Sequence, residues 1–516
     1  MSDTQKLTFD ELIRHWAQEK PDAVALEQEG DALTFAELEE KSRRIVAMLA
    51  AHGVGKGDRI AWLGKNARHY FETFYSAARV GVVMVPIGWR LAAPEIAYIL
   101  GDTGAKLLFI DEGFEELAAK ACSEMASPPE VIDTGTAKRE YAAAAADEFA
   151  PAGPHDAVLQ LYTSGTTGNP KGAVLTNANL FALRQPAEEA AQPWSQWDED
   201  EAILVCMPCA HIGGTGLGIM ALAAGIRGIV QSEFTPDGVL DGFEQGITRL
   251  FIVPAALQMV VQHPRAKSTD MSAVKYVMYG AAPIPLDLLR EAVKTIPAAG
   301  FIQCYGMTET TGTISILPPD DHDLDGNQRM RSAGKAVPGA ELKVVGEDGQ
   351  ELPRGEVGEL ACKSPSNMEG YWNLPEATAS SLVDGWMFTG DAAYMDEDGY
   401  VYIQDRIKDM IISGGENVYP AQVESAIYGH PAVAEVAVIG VPDDTWGEAV
   451  KACVVCKPGQ DLDADDLIAF TRERLAGFKV PKSIDVIEVM PRNASGKILR
   501  RELRAPYWEG RERAVN

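Results

Sequence analysis

Apolar and polar positions along this chain follow two rhythms that succeed each other for most of its length. Phe35 to Ala51 repeats apolar residues three and four apart, the period of a helix with one buried face, and Gly53 closes it. Arg59 to Leu63 and Val82 to Ile87 are apolar runs of strand length. This βα alternation predicts a layered sheet. It returns from Ala157 to about Pro318, with strands near 202–208, 228–231, 250–253, 275–279 and 300–304. A polar, alanine-rich stretch, Thr136 to Asp156, reads as the crossing between the two regions. Beyond Ala333 strands dominate: Glu341 to Ser364 and Ala392 to Gln404 turn at Glu347-Asp-Gly349 and Glu397-Asp-Gly399, which predicts a smaller β subdomain. After it come a helix at 422–428, strands at 433–439 and 449–456, a helix at 463–475 and a strand at 484–489. The expected class is therefore α/β: a large N-terminal domain of layered βα subdomains with a small β subdomain, then a small α+β C-terminal domain.

Composition adjusts this picture at four points. A chain of 516 residues exceeds a single core, so two or more domains are expected. A formal charge of -29 argues against wrapping nucleic acid or docking on anionic lipid, so any anionic ligand must be met by local basic residues and backbone donors. The start, Met1-Ser-Asp-Thr-Gln-Lys6, lacks the apolar core of a secretory signal, and a cytoplasmic location is the expectation. Ile203 to Ile226 carries no Asp, Glu, Lys or Arg, yet Pro208, five glycines and His211 interrupt it; a buried strand, a loop and a buried helix fit better than a transmembrane segment.

Two patterns imitate other chemistry. Cys206/Cys209 and Cys453/Cys456 have the spacing of a zinc or redox pair, but both lie in apolar runs and read as core thiols in a reducing compartment. Gly214-Thr-Gly-Leu-Gly218 lacks the spacing, the preceding strand and the later acidic residue of a dinucleotide fingerprint.

The segment Tyr162-Thr-Ser-Gly-Thr-Thr-Gly-Asn-Pro-Lys-Gly172 points to phosphate. Gly165 and Gly168 free the backbone to turn successive N–H groups toward an anion. Thr163, Ser164, Thr166 and Thr167 add hydroxyl donors, and Lys171 adds charge. It is not a Walker loop, because the lysine follows a proline that would end a helix begun at the glycines.

Four more clusters follow: Gly300-Phe-Ile-Gln-Cys-Tyr-Gly-Met-Thr-Glu-Thr310, Trp386-Met-Phe-Thr-Gly-Asp391, Asp405-Arg-Ile-Lys-Asp-Met-Ile-Ile-Ser-Gly-Gly-Glu-Asn-Val-Tyr-Pro420 and Pro491-Arg-Asn-Ala-Ser-Gly-Lys497. Together, in this order, they resemble the adenylate-forming superfamily and specifically its acyl-CoA synthetases, from about residue 7 to about residue 505.

The resemblance implies an enzyme that uses ATP, Mg2+ and coenzyme A. A carboxylate attacks the α-phosphorus to give acyl-AMP and pyrophosphate, and the thiol of coenzyme A then displaces AMP. It implies domains at 1–404 and 411–516 with a hinge at 405–410, where Lys408 matches the pivot of a mobile C-terminal cap. Lys497 matches the catalytic cation, reaching carboxylate and α-phosphate oxygens in the adenylating pose. Thr163 and Glu309 match the magnesium-associated pair. Asp391 matches the ribose carboxylate, Arg406 its neighbour, Thr308 an α-phosphate contact, and Tyr305 with Gly280, Ala281 and Ala282 the adenine walls. His211 matches a gate between acyl and pantetheine tunnels, and the residues around His211, Gly280 and Gly306 line the acyl site. Ile212 stands where amino-acid-activating relatives carry an aspartate, so the expected acid has no α-amine. Gly414 and Gly415 would line the thiol's channel, with Phe478, Lys479 and Lys482 toward the nucleotide end of coenzyme A.

The expected substrate is a hydrophobic acid, a medium- or long-chain fatty acid ahead of an aryl or alicyclic one. A carrier-protein acceptor, or oxidation of the adenylate, is the alternative within the superfamily. A nicotinamide oxidoreductase is opposed by the missing fingerprint, and a non-catalytic nucleotide binder by the intact Glu309, Asp391, Arg406 and Lys497. A homodimer is compatible with the sequence, but no residue specifies one.

Overall fold

The computed structural model describes residues 8–163, 169–323, 328–492 and 498–509. Among them the chain forms four sheets. The largest has nine strands and runs from Lys335–Ala336 at one edge through Gly312–Leu317, Gly300–Met307, Tyr276–Gly280, Arg249–Ile252, Ala202–Val205, Arg227–Val230 and Val24–Gln28 to Asp31–Thr34. Its central strands are parallel, as crossover helices on both faces require. Val24–Gln28 joins beside Arg227–Val230, with Leu26 opposite Gly228. A seven-stranded sheet is built around Arg59–Leu63 and Val83–Ile87 and reaches Ala157–Thr163, Lys171–Thr176 and the short Gly370–Tyr371 at its edge.

Two of the inner strands, Val83–Ile87 and Ala202–Val205, are apolar throughout and buried at every position. Helix Phe35–Ala51 starts at a capping box in which Thr34 and Glu37 satisfy each other's backbone donors. Helix Phe9–Glu19 turns Phe9, Leu12, Ile13 and Trp16 inward, and Trp16 Nε1 donates to the carbonyl of Leu222 at 2.8 Å. Ile203 to Ile226 divides as expected, into strand Ala202–Val205, a loop and helix Ile212–Ala224. Among the described residues no helix is long and apolar enough to cross a membrane.

Glu341–Val345, Gly358–Lys363, Leu382–Val383, Trp386–Met395 and Val401–Arg406 make the smaller antiparallel sheet. The C-terminal unit is α+β: Val433–Asp443 and Gly447–Cys456 form a long hairpin, Ile411–Ser413 and Ser483–Val486 flank it, and helices Pro420–Tyr428 and Ala464–Arg472 cover a core around Ile411, Val436 and Leu467.

Three expectations are amended. The alanine-rich crossing contains a helix, Thr134–Ala143, which Asp133 caps at its start and which Arg44 and His52 of Phe35–Ala51 and its end hold through Ala142, Ala144 and Glu140. The cap helix stops at Arg472, and the last strand stops at Val486. Cys206 and Cys209 are free, buried and in the loop beyond the strand.

Candidate functional site

Strands from three sheets end on one cavity of about 2010 Å³. Thr163 closes strand Ala157–Thr163, Thr308 and Glu309 form the turn after Gly300–Met307, and Arg406 ends Val401–Arg406. All four side chains border the cavity, with Lys171, His211, Ala281, Ala282, Gly306 and Lys408. Residues 164–168, which include Ser164, Gly165, Thr166, Thr167 and Gly168, lie outside the described residues, as does Lys497.

Glu309 is buried, and two hydroxyls meet one of its oxygens: Thr163 Oγ1 donates to Oε1 at 3.1 Å and Tyr371 at 2.8 Å. The Lys171 ammonium stands 5.1 Å from the centroid of the Tyr371 ring. The turn carrying Glu309 is pinned because Thr310 Oγ1 accepts from Met307 N, and Met368 N donates to the Glu309 carbonyl at 2.8 Å. This is a carboxylate with hydroxyls and a lysine at the head of a phosphate-type loop. Its hard oxygens suit a cation that keeps water and phosphate ligands. Among the described residues no group of three His, Cys, Asp or Glu side chains is placed to hold a metal by itself.

Asp391 and Arg406 face each other across paired strands, with Arg406 Nε 2.7 Å from Asp391 Oδ1. Tyr305 donates to the other oxygen, Oδ2, at 2.5 Å, and burial followed by the Asp391 charge holds its phenol far above its usual pKa. The tyrosine assigned to the adenine wall thus also fixes the ribose candidate. Asp391 and Tyr305 lie just behind the wall, where Gly390 and Gly306 reach the cavity. A Cβ on Gly306 would stand 1.7 Å from the carbonyl of Gly312, and one on Gly280 would stand 2.0 Å from that of Cys304, so the two backbones can approach only without side chains. Ala281 adopts φ 65°, a left-handed conformation uncommon for alanine, at the point where the chain turns into the cavity.

His211 precedes helix Ile212–Ala224. Burial pushes its imidazole down to about 4, and among the described residues its Nε2 has no hydrogen-bond partner. The ring is therefore neutral at physiological pH, as a gate between apolar compartments would be. From it the cavity follows one face of the helix, where Ile212, Gly213, Gly216, Met220 and Ala224 are its less buried positions. Phe251 lies against Gly213, and Met278, Ile302, Val337 and Trp197 also line the cavity. Gly214 also borders the cavity, but a Cβ there would strike Pro208 O at 2.3 Å; Gly218 does not border it, and a Cβ there would strike Phe71 at 2.1 Å.

Lys408 is half-buried, and burial lowers its amine. Arg492 and Ile498, on either side of 493–497, also border the cavity. Gly414, Gly415 and Lys482 do not: the glycines turn the hairpin between Ile411–Ser413 and Glu416–Val418 at φ 62° and 84°, and Lys482 Nζ stands 5.5 Å from the ring centroid of Trp446. Lys479 donates to Gln422 Oε1 at 2.8 Å. The sequence did not single out Tyr371, Arg500 or Trp446, which belong to no recognisable phosphate or nucleotide pattern.

Comparison with known proteins identifies the family. The family described as AMP-binding enzyme matches residues 13–372, and that described as AMP-binding enzyme C-terminal domain matches residues 422–497. A fatty acid–[acyl-carrier-protein] ligase from Streptomyces coeruleorubidus is 42% identical over 99% of each chain. A feruloyl-CoA synthase from Amycolatopsis sp. is 40% identical over 95% of this chain and 97% of its own. The crystal structure of ATP-bound MatB from Rhodopseudomonas palustris superposes with a TM-score of 0.86 at 31% identity, covering 97% of this chain and 99% of that one.

Proposed function

This chain belongs to the AMP-binding enzymes of the adenylate-forming superfamily and is an AMP-forming acid–thiol ligase, and we propose that it converts a medium- or long-chain fatty acid, through its acyl-adenylate, to the coenzyme A thioester. The observation that carries the substrate class is the apolar groove beside helix Ile212–Ala224. Between Gly213 and Ala224 it follows roughly 16 Å of helix axis, and Gly213 and Gly216 leave its first turns without side chains. A long alkyl chain would fill that length. An aryl acid, the second reading in view of the feruloyl-CoA synthase likeness, would occupy only the part beside Phe251.

The chemistry follows from charge. A carboxylate oxygen forms a bond to the α-phosphorus as the bond to pyrophosphate breaks, so two anions must be brought together and their charge spread. Thr163 and Glu309 would hold the magnesium ion that accompanies ATP, which would neutralise phosphate charge. Lys171 and the 164–168 segment would cradle phosphate oxygens, and Asp391, braced by Tyr305 and Arg406, would accept from the ribose. We assign Lys497 as the cation that bridges carboxylate and α-phosphate. Its neighbours Arg492 and Ile498 border the cavity while Gly414 and Gly415 do not, which supports reading this conformation as the adenylating one. Thioester formation would then need the C-terminal unit to turn about Lys408, so that Gly414 and Gly415 reach the cavity. The exposed Trp446 beside Lys482 supports a nucleotide-bearing thiol. The likeness to a carrier-protein ligase favours a protein acceptor as the other outcome.

The test is pyrophosphate release from ATP and Mg2+ across fatty, aryl and alicyclic acids, with and without coenzyme A, for wild type and Lys497→Ala. Turnover that requires coenzyme A, prefers long-chain acids and falls by about 10²–10³-fold in the variant is expected. Pyrophosphate release without an acyl-CoA product would instead select the carrier-protein reading.

A further inference from the structure

One guanidinium reaches both carboxylates of the 405–409 stretch. Arg500, the first residue of helix Arg500–Trp508, is 3.3 Å from Asp405 Oδ1 and 3.7 Å from Asp409 Oδ2. Its Nη2 and Nε also bind Glu424 of helix Pro420–Tyr428, at 2.7 Å to Oε2 and 3.1 Å to Oε1. Arg504, one turn on, is 3.5 Å from Asp409 Oδ1. Asp405 is buried, and its second oxygen accepts from Ala421 N at 2.8 Å, which caps the start of Pro420–Tyr428.

These contacts join two bodies. Asp405 lies in strand Val401–Arg406 and is held in register opposite Ala392 of the small β sheet. Ala421, Glu424 and Arg500 belong to the C-terminal unit. If that unit turns about Lys408, as the proposed reaction requires, Ala421 and Arg500 must leave Asp405, which its strand holds back. Arg500 also stands three residues beyond Lys497. The residues on either side of 493–497 are joined by pairing of Arg492 with Ile498 and by Leu499 N donating to the Pro491 carbonyl at 2.9 Å. A clamp on Arg500 therefore also holds this joined pair in place.

We propose that Arg500 is a positioning residue: by binding Asp405 and Asp409 together it latches the C-terminal unit in the adenylating orientation, and its release accompanies the turn to thioester formation. This rests on the function proposed above. The opposing possibility is an ion pair that only stabilises the fold. Simple removal would leave Asp405 and Glu424 as uncompensated neighbours, so the informative variants keep or balance charge. Arg500→Lys retains the cation but loses the fork that spans two carboxylates, and Asp405→Asn keeps a polar group at the helix start.

The experiment uses the full chain and measures each half-reaction alone: pyrophosphate release in a single turnover without coenzyme A, and thioester formation from supplied acyl-adenylate with coenzyme A. Tryptic cleavage after Lys408, half-buried in this orientation, reads the latch without any substrate. In both variants adenylation is expected to fall by about 10–10²-fold, thioester formation to stay within about twofold of wild type, and cleavage at Lys408 to accelerate. Equal losses in both half-reactions, or cleavage at the wild-type rate, would overturn the latch. Should wild type adenylate no acid at all, the proposed reaction fails, while the cleavage rates still decide whether Arg500 holds the hinge.

Discussion

Thr163 and Tyr371 both donate to Glu309 Oε1, so the carboxylate is held by two hydroxyls at a single oxygen. A hydrogen bond to a charged group contributes about 1.5–3 kcal/mol. Tyr371→Phe is accordingly expected to raise the Mg2+ concentration that half-saturates adenylation, and to weaken Mg2+-dependent binding of a non-hydrolysable ATP analogue by calorimetry, with thioester formation from supplied adenylate unchanged; an unaltered Mg2+ dependence would assign the tyrosine to packing. Thr163 and Glu309 could be named from the sequence because they sit in the motifs that carry the family resemblance. Tyr371 could not, since it reaches Glu309 only through the pairing of Gly370–Tyr371 with Lys171–Thr176. His211 makes a second prediction at this scale. Its folded pKa of about 4 lies below the ordinary value of 6.5, so the unfolded chain takes up the proton first as pH falls. Its contribution to stability is complete above pH 6.5 and is lost between there and pH 4. Urea unfolding at intervals across that range should show a loss that His211→Asn reduces; an identical pH dependence in the variant would remove His211 from the account.

Helix Ile212–Ala224 separates two uses of glycine. Gly214 and Gly218 allow close packing against the loop at Pro208 and against Phe71, Gly213 lets Phe251 approach to where a Cβ would stand 3.0 Å away, and Gly216 leaves space on the cavity side. Gly216→Leu should therefore block the groove while sparing the fold: kcat/KM for long-chain acids is expected to drop by about tenfold or more, with short acids far less affected. A uniform loss across chain lengths would show that the groove is not the acyl site. The sequence foretold the helix, because Pro208 and the glycines break the apolar run around His211. It could not tell which glycine faced which way, since that depends on Phe71 from a distant helix. The β strands were similarly legible as apolar runs, but their order was not: nothing in Val24–Gln28 names Arg227–Val230 as its neighbour. The helix at Thr134–Ala143 escaped notice because its weak amphipathic pattern is outweighed by polar contacts from Phe35–Ala51 and its end.

At the scale of the molecule, a formal charge of -29 coexists with a site for polyanions. Lys171, Arg406, Lys408, Arg492 and Arg500 stand on the cavity walls among acidic neighbours, and Arg406, Arg492 and Arg500 are paired with carboxylates. Elsewhere the surface repels itself, and salt screens that repulsion over about 10 Å at 0.1 M. The melting temperature should consequently rise as NaCl is raised from about 10 mM toward that range; a fall would mean that screened ion pairs outweigh the repulsion. One feature of the large sheet bears on how the chain reaches this state. Helix Phe9–Glu19 packs its tryptophan against a carbonyl 206 residues away, and the strand after it joins the sheet only beside Arg227–Val230. During synthesis, Phe9 can meet Phe74 and Tyr75 early, but Trp16 must wait for the Leu222 carbonyl and Val24–Gln28 for its parallel neighbour. Complete seating of the first elements made is thus a late event, and refolding should be slow and prone to association through the strand edge still unmated, as expected where contacts span long stretches of chain.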